Sequence, residues 1–336
     1  MATLGANAVT LNDWRKRLNA EGKIDTIIEV MAQTNEVLKH MTFMQGNLPT
    51  GNMTTQRNGI PKPSIRSLNR AVESVKTSTK QIVDTICCLE AFSEVDEKFK
   101  DLQPDFEAFR RSEDVGIAEG FAQEAARLFV YGNSEGNDKE FNGLDIRTRV
   151  LSDDATQPNE EGYTVIDAGG TTANKQSSIY LVNFGDRLTT GIFPKNGQAG
   201  LRHQDLGKQL TQEADGKMIN KYVSQFDWDM GLAVFDPRSI GAIRNIDVAA
   251  IANATSAQKA AFLAKIITAH DRIRKPENTF MYVPNAVYTY LKLCLLDKNN
   301  VHVELATVEN GIRELSVDGM RVYKLDALRT DETVIA

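Results

Sequence analysis

The sequence predicts a mixed α+β protein in which helices and strands occupy separate stretches of the chain. Apolar residues recur at helical spacing near the N-terminus, in one long central stretch and in two later stretches, and strand patterns cluster between them. This order differs from the regular strand–helix alternation of parallel βαβ folds. Apolar residues make up 41% and charged residues 25% of the 336 positions, which is typical of a globular protein.

The N-terminal segment is predicted to be a helical arm over residues 1–49. Polar cap candidates, Thr10-Leu-Asn-Asp, precede Trp14, and apolar residues follow helical spacing from Lys23 to Met41. Gly46 to Pro49 ends this pattern because glycine and proline interrupt helices.

The next segment, Thr50 to Lys80, differs from the rest of the chain in charge. It carries six basic residues and one acidic residue, Glu73, whereas the whole chain has a net charge of −6. Its few apolar side chains, none of them aromatic, cannot offset the entropy cost of ordering its backbone. We therefore expect it to be disordered or to be ordered by another surface, and a basic segment on an acidic chain favours a neighbouring copy. The basic residues predicted to make this contact are Arg57, Lys62, Arg66, Arg70, Lys76 and Lys80.

This segment is predicted to be a long hairpin. Gly59-Ile-Pro-Lys-Pro is interpreted as its tip, because proline removes the hydrogen-bond donors that a central strand needs. Met53–Arg57 and Val75–Gln81 suit the two flanking strands, and Gln81–Val95 continues as a more apolar strand.

The cysteine pattern favours reduced, buried thiols. Cys87 and Cys88 are adjacent and are expected to point to opposite faces of a strand, and Cys294 is the third cysteine. An odd count without a framework of spacings argues against disulfides.

The strongest helical pattern runs from Pro104 to Tyr131. Proline suits a first helical turn, and about 1.5 Å of rise per residue gives a helix about 40 Å long. Gly116 and Gly120 lower helix stability relative to alanine, and we expect them to permit a bend or close packing. Gly132 with Asn133 ends the helix.

Strand patterns cluster in the second half of the chain, and their spacing and alternation favour antiparallel pairing. The predicted strands are Tyr163–Asp167, Ser178–Phe184, Leu188–Phe193, Tyr222–Trp228, Gly231–Phe235, Phe280–Val283, Gly311–Ser316 and Met320–Leu325. Two further helices are predicted over Ser256–Ile273 and Ala286–Leu296.

One motif suggests catalysis. Gly132-Asn-Ser-Glu-Gly136 matches the G-x-S-x-G elbow of serine hydrolases, in which a strand precedes the serine and a helix follows it. Here the long helix precedes Ser134, so the motif is interpreted as a glycine-rich helix exit, and a hydrolase using Ser134 is kept as an alternative.

Other motifs favour ordinary structure. Asp167-Ala-Gly-Gly-Thr-Thr lacks the GK[ST] ending of a phosphate loop and predicts a tight turn. Asp153-Asp154 and Glu160-Glu161 are interpreted as a solvated face. We predict no metal site, since histidine and cysteine residues lack ligand spacing, no cofactor site, and no membrane span of about 20 apolar residues.

The order of these elements resembles that of tailed-bacteriophage major capsid proteins with the Hong Kong-phage (HK) type fold. The resemblance begins with the helical arm, the basic hairpin, the strand, the long helix ending in Tyr131-Gly-Asn, and Phe141-Asn-Gly-Leu. It covers nearly the whole chain. Stretches similar to the capsid proteins of a short-tailed phage group are Tyr180-Leu-Val-Asn-Phe-Gly, Gly191-Ile-Phe-Pro-Lys, Ala199-Gly-Leu, Phe226-Asp-Trp-Asp-Met-Gly-Leu-Ala-Val, Arg244-Asn-Ile, Met281-Tyr-Val-Pro-Asn and Asp318-Gly-Met-Arg-Val-Tyr-Lys-Leu-Asp.

The resemblance implies four parts. They are an N-terminal arm (1–49), an extended loop lying across a neighbouring subunit (50–81), a peripheral domain (82–135 and 172–245) with a spine helix at 104–131, and an axial domain (136–171 and 246–336). The strand block that precedes the two axial helices indicates the sub-group with a permuted segment order.

The resemblance also implies a function. It predicts a non-enzymatic subunit of an icosahedral phage head that self-assembles into pentamers and hexamers enclosing double-stranded DNA. Such a subunit is made in the host cytoplasm, resides in the virion capsid and rearranges during head maturation. The implied partners are other copies, a scaffolding protein, a portal, a candidate decoration protein and non-specifically contacted DNA. The shell of a cellular nanocompartment is the alternative within the same fold.

Overall fold

The chain separates into two compact units in a computed structural model. Among the described residues, one unit lies within 88–125 and 199–229, and the other lies within 35–87, 126–198 and 230–335. We refer to them as the smaller and the larger unit. The residues that the structure describes are 35–102, 105–151, 162–212, 216–252, 254–274, 278–295, 302–307 and 313–335.

The described residues form a mixed set of helices and strands, which agrees with the predicted α+β class. The helices are α1 (Val37–His40), α2 (Lys98–Leu102), α3 (Phe106–Tyr131), α4 (Leu144–Arg147), α5 (Val248–Ala252), α6 (Ser256–Asp271) and α7 (Asn285–Cys294). The strands are β1 (Phe43–Gln45), β2 (Gly51–Gly59), β3 (Ser78–Asp96), β4 (Val165–Asp167), β5 (Gln176–Asn183), β6 (Thr189–Phe193), β7 (Arg202–Gln212), β8 (Met218–Val234), β9 (Ile240–Asp247), β10 (Thr279–Val283), β11 (Val303–Thr307), β12 (Arg313–Val317) and β13 (Met320–Lys324).

The strands form two sheets. The first has the order β1-β6-β8-β3-β2, and β7 pairs with β8 beside this path. The second has the order β11-β12-β13-β10-β5-β9-β4. Most pairs are antiparallel, as predicted, but β1 with β6, β4 with β9 and β10 with β13 are parallel. The sequence could not distinguish these cases. Alternating polarity shows which residues of a strand face the core, but it does not show whether the neighbouring strand is parallel or antiparallel.

Helices α6 and α7 supply the core of the larger unit together with the second sheet. Apolar side chains such as Ile266 and Leu291 on the helices form one buried cluster with Leu181, Ile243 and Met281 on the sheet. The central strands β5 and β9 are buried along almost their whole length. Strand β9 was not predicted, because its apolar residues do not alternate and its run IGAIRNID is interrupted by Gly241, Arg244 and Asn245.

Local signals explain where the major helices begin. Thr255 and Gln258 form a reciprocal capping box at the start of α6, in which Gln258 Oε1 accepts from the Thr255 amide at 2.9 Å. Asp105 Oδ1 accepts from the Ala108 amide at 3.0 Å at the start of α3.

Gly143 packs against the last turn of α3. The helix ends at Tyr131, as predicted, and the amide of Gly143 donates to the carbonyl of Gly132 at 2.9 Å. A Cβ added at Gly143 would lie 2.7 Å from the carbonyl oxygens of Leu128 and Val130. Only glycine allows this close approach.

The core of the smaller unit is aromatic. Val95, Phe99, Phe106 and Phe109 form a buried cluster against which Tyr222 packs. The Phe106 and Tyr222 rings meet edge to face at a centroid distance of 5.0 Å.

Several predicted boundaries change. Tyr222–Trp228 and Gly231–Phe235 lie in or at the end of one strand, β8, and the sequence did not indicate β7 or β11. The predicted helix at Lys23–Met41 is described only as the four-residue α1. Its earlier part lies outside the described residues, as do Thr10-Leu-Asn-Asp, Trp14, Pro104, Asp153-Asp154 and Glu160-Glu161.

The thiols also differ from prediction. Cys87 and Cys294 are buried, but Cys88 is exposed because adjacent strand residues face opposite sides. Within the described part of the chain, no helix is long and apolar enough to cross a membrane.

We expect Gly143→Ala to lower the free energy of unfolding by about 1–3 kcal/mol, because its Cβ would overlap carbonyl oxygens and force a backbone shift. Gly116→Ala is the matched control, since nothing lies within 4 Å of its added Cβ. Alanine there should stabilise the exposed helix by about 1 kcal/mol. Urea unfolding followed by circular dichroism measures both, and equal effects of the two substitutions would contradict this account.

Candidate inter-subunit arm

Strands β2 and β3 form the predicted hairpin, and residues 60–77 leave it as a segment without strand pairing. We call these residues the arm. The strands pair from Gly51 with Thr85 to Gly59 with Ser78, and the register shifts between Arg57 and Gly59. The predicted strand at Val75–Gln81 therefore starts later, at Ser78.

The reversal of the arm lies beyond the predicted tip. The amide of Arg70 donates to the carbonyl of Ser67 at 3.2 Å, and Asn69 between them has a left-handed φ of 58°. Gly59-Ile-Pro-Lys-Pro instead lies at the junction of β2 and the arm. Proline excludes strand pairing, but the backbone reverses where asparagine accepts a left-handed conformation.

The arm exposes large apolar side chains. Ile65 is 99% exposed and Leu68 is 95% exposed, on either side of Arg66 and Ser67. A run of exposed aliphatic side chains is typical of a surface that contacts another molecule. All five large aliphatic side chains of the arm are exposed, namely Ile60, Ile65, Leu68, Val72 and Val75.

The six basic residues predicted as contacts are all exposed along the arm and its flanking strands. Among the residues that the structure describes, none of the six forms an ion pair, and Arg66 Nε donates only to the Arg70 carbonyl, at 3.2 Å. Arg57 and Lys80 lie at neighbouring positions of the paired strands but on opposite faces, because Lys80 pairs with Gln56 and Arg57 pairs with Thr79. The other four are spread along the arm.

The charge of this segment contrasts with the remainder of the chain. Thr50–Lys80 has a net charge of +5, and the whole chain has −6, so the remaining residues carry −11. Opposite charges on two parts of one chain favour contact between copies.

A buried ion pair fixes the base of the hairpin. Asp84 on β3 is 3% exposed, and its Oδ1 lies 2.7 Å from Arg147 Nη2. Its Oδ2 accepts from the amide of Val234 at 3.2 Å. Arg147 also donates to the carbonyls of Leu232 and Asn142, so both charged groups are satisfied by hydrogen bonds.

Polar side chains add to this anchorage. The Gln56 amide donates to the carbonyls of Val234 at 3.2 Å and Phe235 at 2.8 Å. Asn47 exchanges two hydrogen bonds, each 2.7 Å long, with the backbone of Met53. Sequence reasoning did not identify these residues, although a single carboxylate in the apolar run QIVDTICC was a signal for Asp84.

Gly116 and Gly120 lie on the exposed face of α3, and nothing lies within 4 Å of a Cβ added at either position. The described chain therefore does not use them for close packing. Their predicted role in a bend stays a prediction.

The catalytic motif has the geometry of a helix exit. Ser134 follows α3, and its hydroxyl donates to Asn142 Oδ1 at 2.8 Å, an amide that cannot act as a general base. The predicted tight turn is present at Asp167, whose Oδ1 accepts from the amide of Gly169 at 2.9 Å. The described residues contain no cluster of side chains that could hold a metal ion.

Residues 19–336 match the model of one protein family, described as "Major capsid protein GP7". The chain belongs to this family. The protein is therefore a structural subunit of a bacteriophage head and a component of the virion capsid, as the resemblance implied.

Solved structures agree with this family. The chain is similar to a chain in the solved structure of bacteriophage epsilon15, with 25% identity, full coverage of both chains and a TM-score of 0.77. It shares its fold with the capsid chain of bacteriophage JBD30, with 12% identity, 89% and 93% coverage and a TM-score of 0.55. The predicted HK-type capsid fold is thus confirmed. No curated protein matches the chain.

Removing one partner of the Asp84–Arg147 pair should destabilise the fold strongly. We expect Arg147→Ala to cost about 3–5 kcal/mol of unfolding free energy, because Asp84 would remain as an unpaired buried charge. Lys39→Ala is the control, since its pair with Glu36 is exposed and should contribute at most about 1 kcal/mol. Urea titration measures both values, and a loss for Arg147→Ala as small as that for Lys39→Ala would contradict the anchoring role of Asp84.

Proposed function

We propose that the arm is the extended loop that lies on a neighbouring copy of the chain within the phage head. The observation that carries this proposal is the exposure of its aliphatic side chains, above all Ile65 and Leu68. In a single chain these side chains face water. Burial of each large aliphatic side chain contributes about 1.5–3 kcal/mol, so a neighbour that covers them gains stability.

The distribution of charge along the chain also favours a second copy as the partner of the arm. The segment that contains the arm is basic while the remainder of the chain carries −11, so a second copy has the opposite net charge outside its own Thr50–Lys80 segment. The anchored base holds the origin of the arm, which reduces the ordering cost of contact. We assign Arg57, Lys62, Arg66, Arg70, Lys76 and Lys80 to this contact as steering and rim charges.

Assembly extends this contact to a closed shell. We propose an icosahedral head of pentamers and hexamers around double-stranded DNA, assembled in the host cytoplasm with a scaffolding protein and a portal. A decoration protein is a further candidate partner. The acidic remainder of the chain favours weak, non-specific contact with DNA, because like charges repel phosphate.

The segment boundaries are part of the same proposal. Residues 82–135 and 172–245 are assigned to the peripheral domain, and 136–171 and 246–336 to the axial domain. We assign no catalytic role, and no observation favours the nanocompartment or the Ser134 hydrolase.

We propose that Gly116 and Gly120 let the spine helix bend as the head matures. The exposed face and open space at both positions support this role. The Gly116→Ala variant tests it by electron microscopy of assembled heads. A stable variant whose heads stop before expansion supports the bend, and normal expansion in the Gly116→Ala/Gly120→Ala double variant contradicts it.

Replacing residues 60–77 with Asn-Gly should abolish shell closure and leave the fold intact. Gly59 and Ser78 are already paired, so a two-residue turn closes the hairpin without strain. Circular dichroism should show unchanged secondary structure, and electron microscopy should show no closed shells. A Gly/Ser arm of equal length is the control for reach, and it should fail as well because it lacks the aliphatic and basic side chains. Normal shells from either variant would refute the neighbour contact.

The salt dependence of assembly separates the contribution of the arm's apolar side chains from that of its basic side chains. Ile65→Ser/Leu68→Ser should raise the concentration needed for assembly at every ionic strength, because lost apolar burial is not screened by salt. Arg66→Gln/Arg70→Gln should do so mainly at low salt, since the Debye length falls to about 8 Å at 0.15 M. Light scattering against protein concentration measures the thresholds.

The matched control is Lys98→Gln/Lys139→Gln, which removes the same charge from exposed positions outside the arm. If it shifts the threshold as much as Arg66→Gln/Arg70→Gln, net charge rather than the arm controls assembly.

A further inference from the structure

A buried carboxylate joins three parts of the larger unit. Glu332 follows the last strand, and its side chain is 7% exposed. Its Oε1 accepts from the Tyr131 hydroxyl at 2.7 Å, and its Oε2 accepts from the Ser178 hydroxyl. Tyr131 is the last residue of α3 and Ser178 belongs to β5, so one carboxylate bridges a helix end and a sheet.

The backbone at and before Glu332 also forms hydrogen bonds with β5 and with Tyr131 at the end of α3. The amide of Glu332 donates to the carbonyl of Gln176 at 2.9 Å, and the amide of Arg329 donates to the Tyr131 hydroxyl at 2.8 Å. The Arg329 guanidinium lies 5.0 Å from the Tyr131 ring centroid. Farther along, the side-chain amide of Asn245 donates to the Ile335 carbonyl at 2.8 Å and accepts from the Ile335 amide at 2.9 Å. The 326–335 segment is therefore held by specific bonds.

Around Glu332, two carboxylates lie near one buried guanidinium. Arg244 on β9 has a side chain only 2% exposed, and it pairs with Asp145 of α4 and lies 4.0 Å from Glu332. Two carboxylates thus share one buried guanidinium, while Arg149 reaches Asp145 from a more exposed position. The hydroxyls that face Glu332 belong to Tyr131 and Ser178, and the buried Tyr180 hydroxyl accepts from Arg244 in the same cluster. All three hydroxyls remain neutral at physiological pH.

Burial decides how this site titrates. Desolvation raises the pKa of the Glu332 carboxyl above its ordinary value of 4.5, and Asp145 adds to the rise. Arg244 and the hydroxyls of Ser178 and Tyr131 oppose the rise but do not cancel it. The folded chain therefore binds this proton more readily than the unfolded chain does.

We propose that Glu332 is a pH-responsive clip that holds the 326–335 segment to the end of α3 and to β5, and that protonation tightens it. A protonated Glu332 leaves one carboxylate, Asp145, opposite Arg244. It still accepts a hydrogen bond and can donate one. Its stabilising contribution is complete below pH 4.5 and is lost as the pH rises through the folded-state pKa.

The test compares the full chain with Glu332→Gln between pH 4.5 and 8. Glutamine is neutral at every pH and keeps an acceptor and a donor. The two proteins should have the same free energy of unfolding at the acidic end of this pH range. The ratio of their folding equilibrium constants should then favour Glu332→Gln by about tenfold for each pH unit by which the folded-state pKa exceeds the unfolded one. Parallel pH profiles would overturn the proposal.

Glu135→Gln is the matched control, because Glu135 is exposed. Its pH profile should follow that of the unaltered chain. A Glu135→Gln profile that matches Glu332→Gln would show a general effect of charge and would also overturn the proposal.

Native-state hydrogen exchange locates the effect. Exchange of the Arg329 and Glu332 amides, corrected for the intrinsic pH dependence, should accelerate with rising pH in the unaltered chain and stay constant in Glu332→Gln. Tyr131→Phe should speed exchange of the Arg329 amide at every pH, since it removes that acceptor, and should keep the pH dependence. Equal exchange at these amides in all three proteins would contradict a local clip.

Discussion

Asp84 lies buried on the strand that leads out of the hairpin, and both of its carboxylate oxygens are bonded. This ion pair acts at the base of the hairpin, where β3 also pairs with β8 and where Gln56 and Asn47 form hydrogen bonds with the backbone. The exposed arm supplies no comparable packing of its own, because its large aliphatic side chains lie in water. The anchored base therefore makes it possible for the chain to present an uncovered arm from a defined position.

The arm and the ionic groups around Glu332, both within the larger unit, differ in their exposure to water. In the arm, aliphatic side chains lie in water, and covering them is favourable. In the larger unit, Arg244, Asp145 and Glu332 are withdrawn from water and must be paired with one another and with hydroxyl groups. The first arrangement suits contact with a second molecule. The second links elements within one chain, and its charge balance depends on pH.

Long elements with local signals could be predicted from the sequence. Helix α3 was recognised by its apolar spacing and by Gly132 at its end. Helix α6 was predicted over Ser256–Ile273, and the structure adds the Thr255 cap at its start. The missed elements lacked such signals. Strand β9 does not alternate, and its apolar run is interrupted by Gly241, Arg244 and Asn245. Strand β7 is mostly exposed and polar. The tip of the arm was placed at prolines, although Asn69 allows the reversal.

The sequence by itself determined that Thr50–Lys80 is basic, poor in aromatic residues and unable to form its own core, because composition and charge do not depend on folding. It also carried the order of elements by which the capsid family is recognised. Only the tertiary structure decided that Asp84 meets Arg147 and that Glu332 meets Tyr131, pairs separated by 63 and 201 positions. Contacts between residues so far apart depend on how the sheets and helices pack, and no local pattern in the chain encodes that packing.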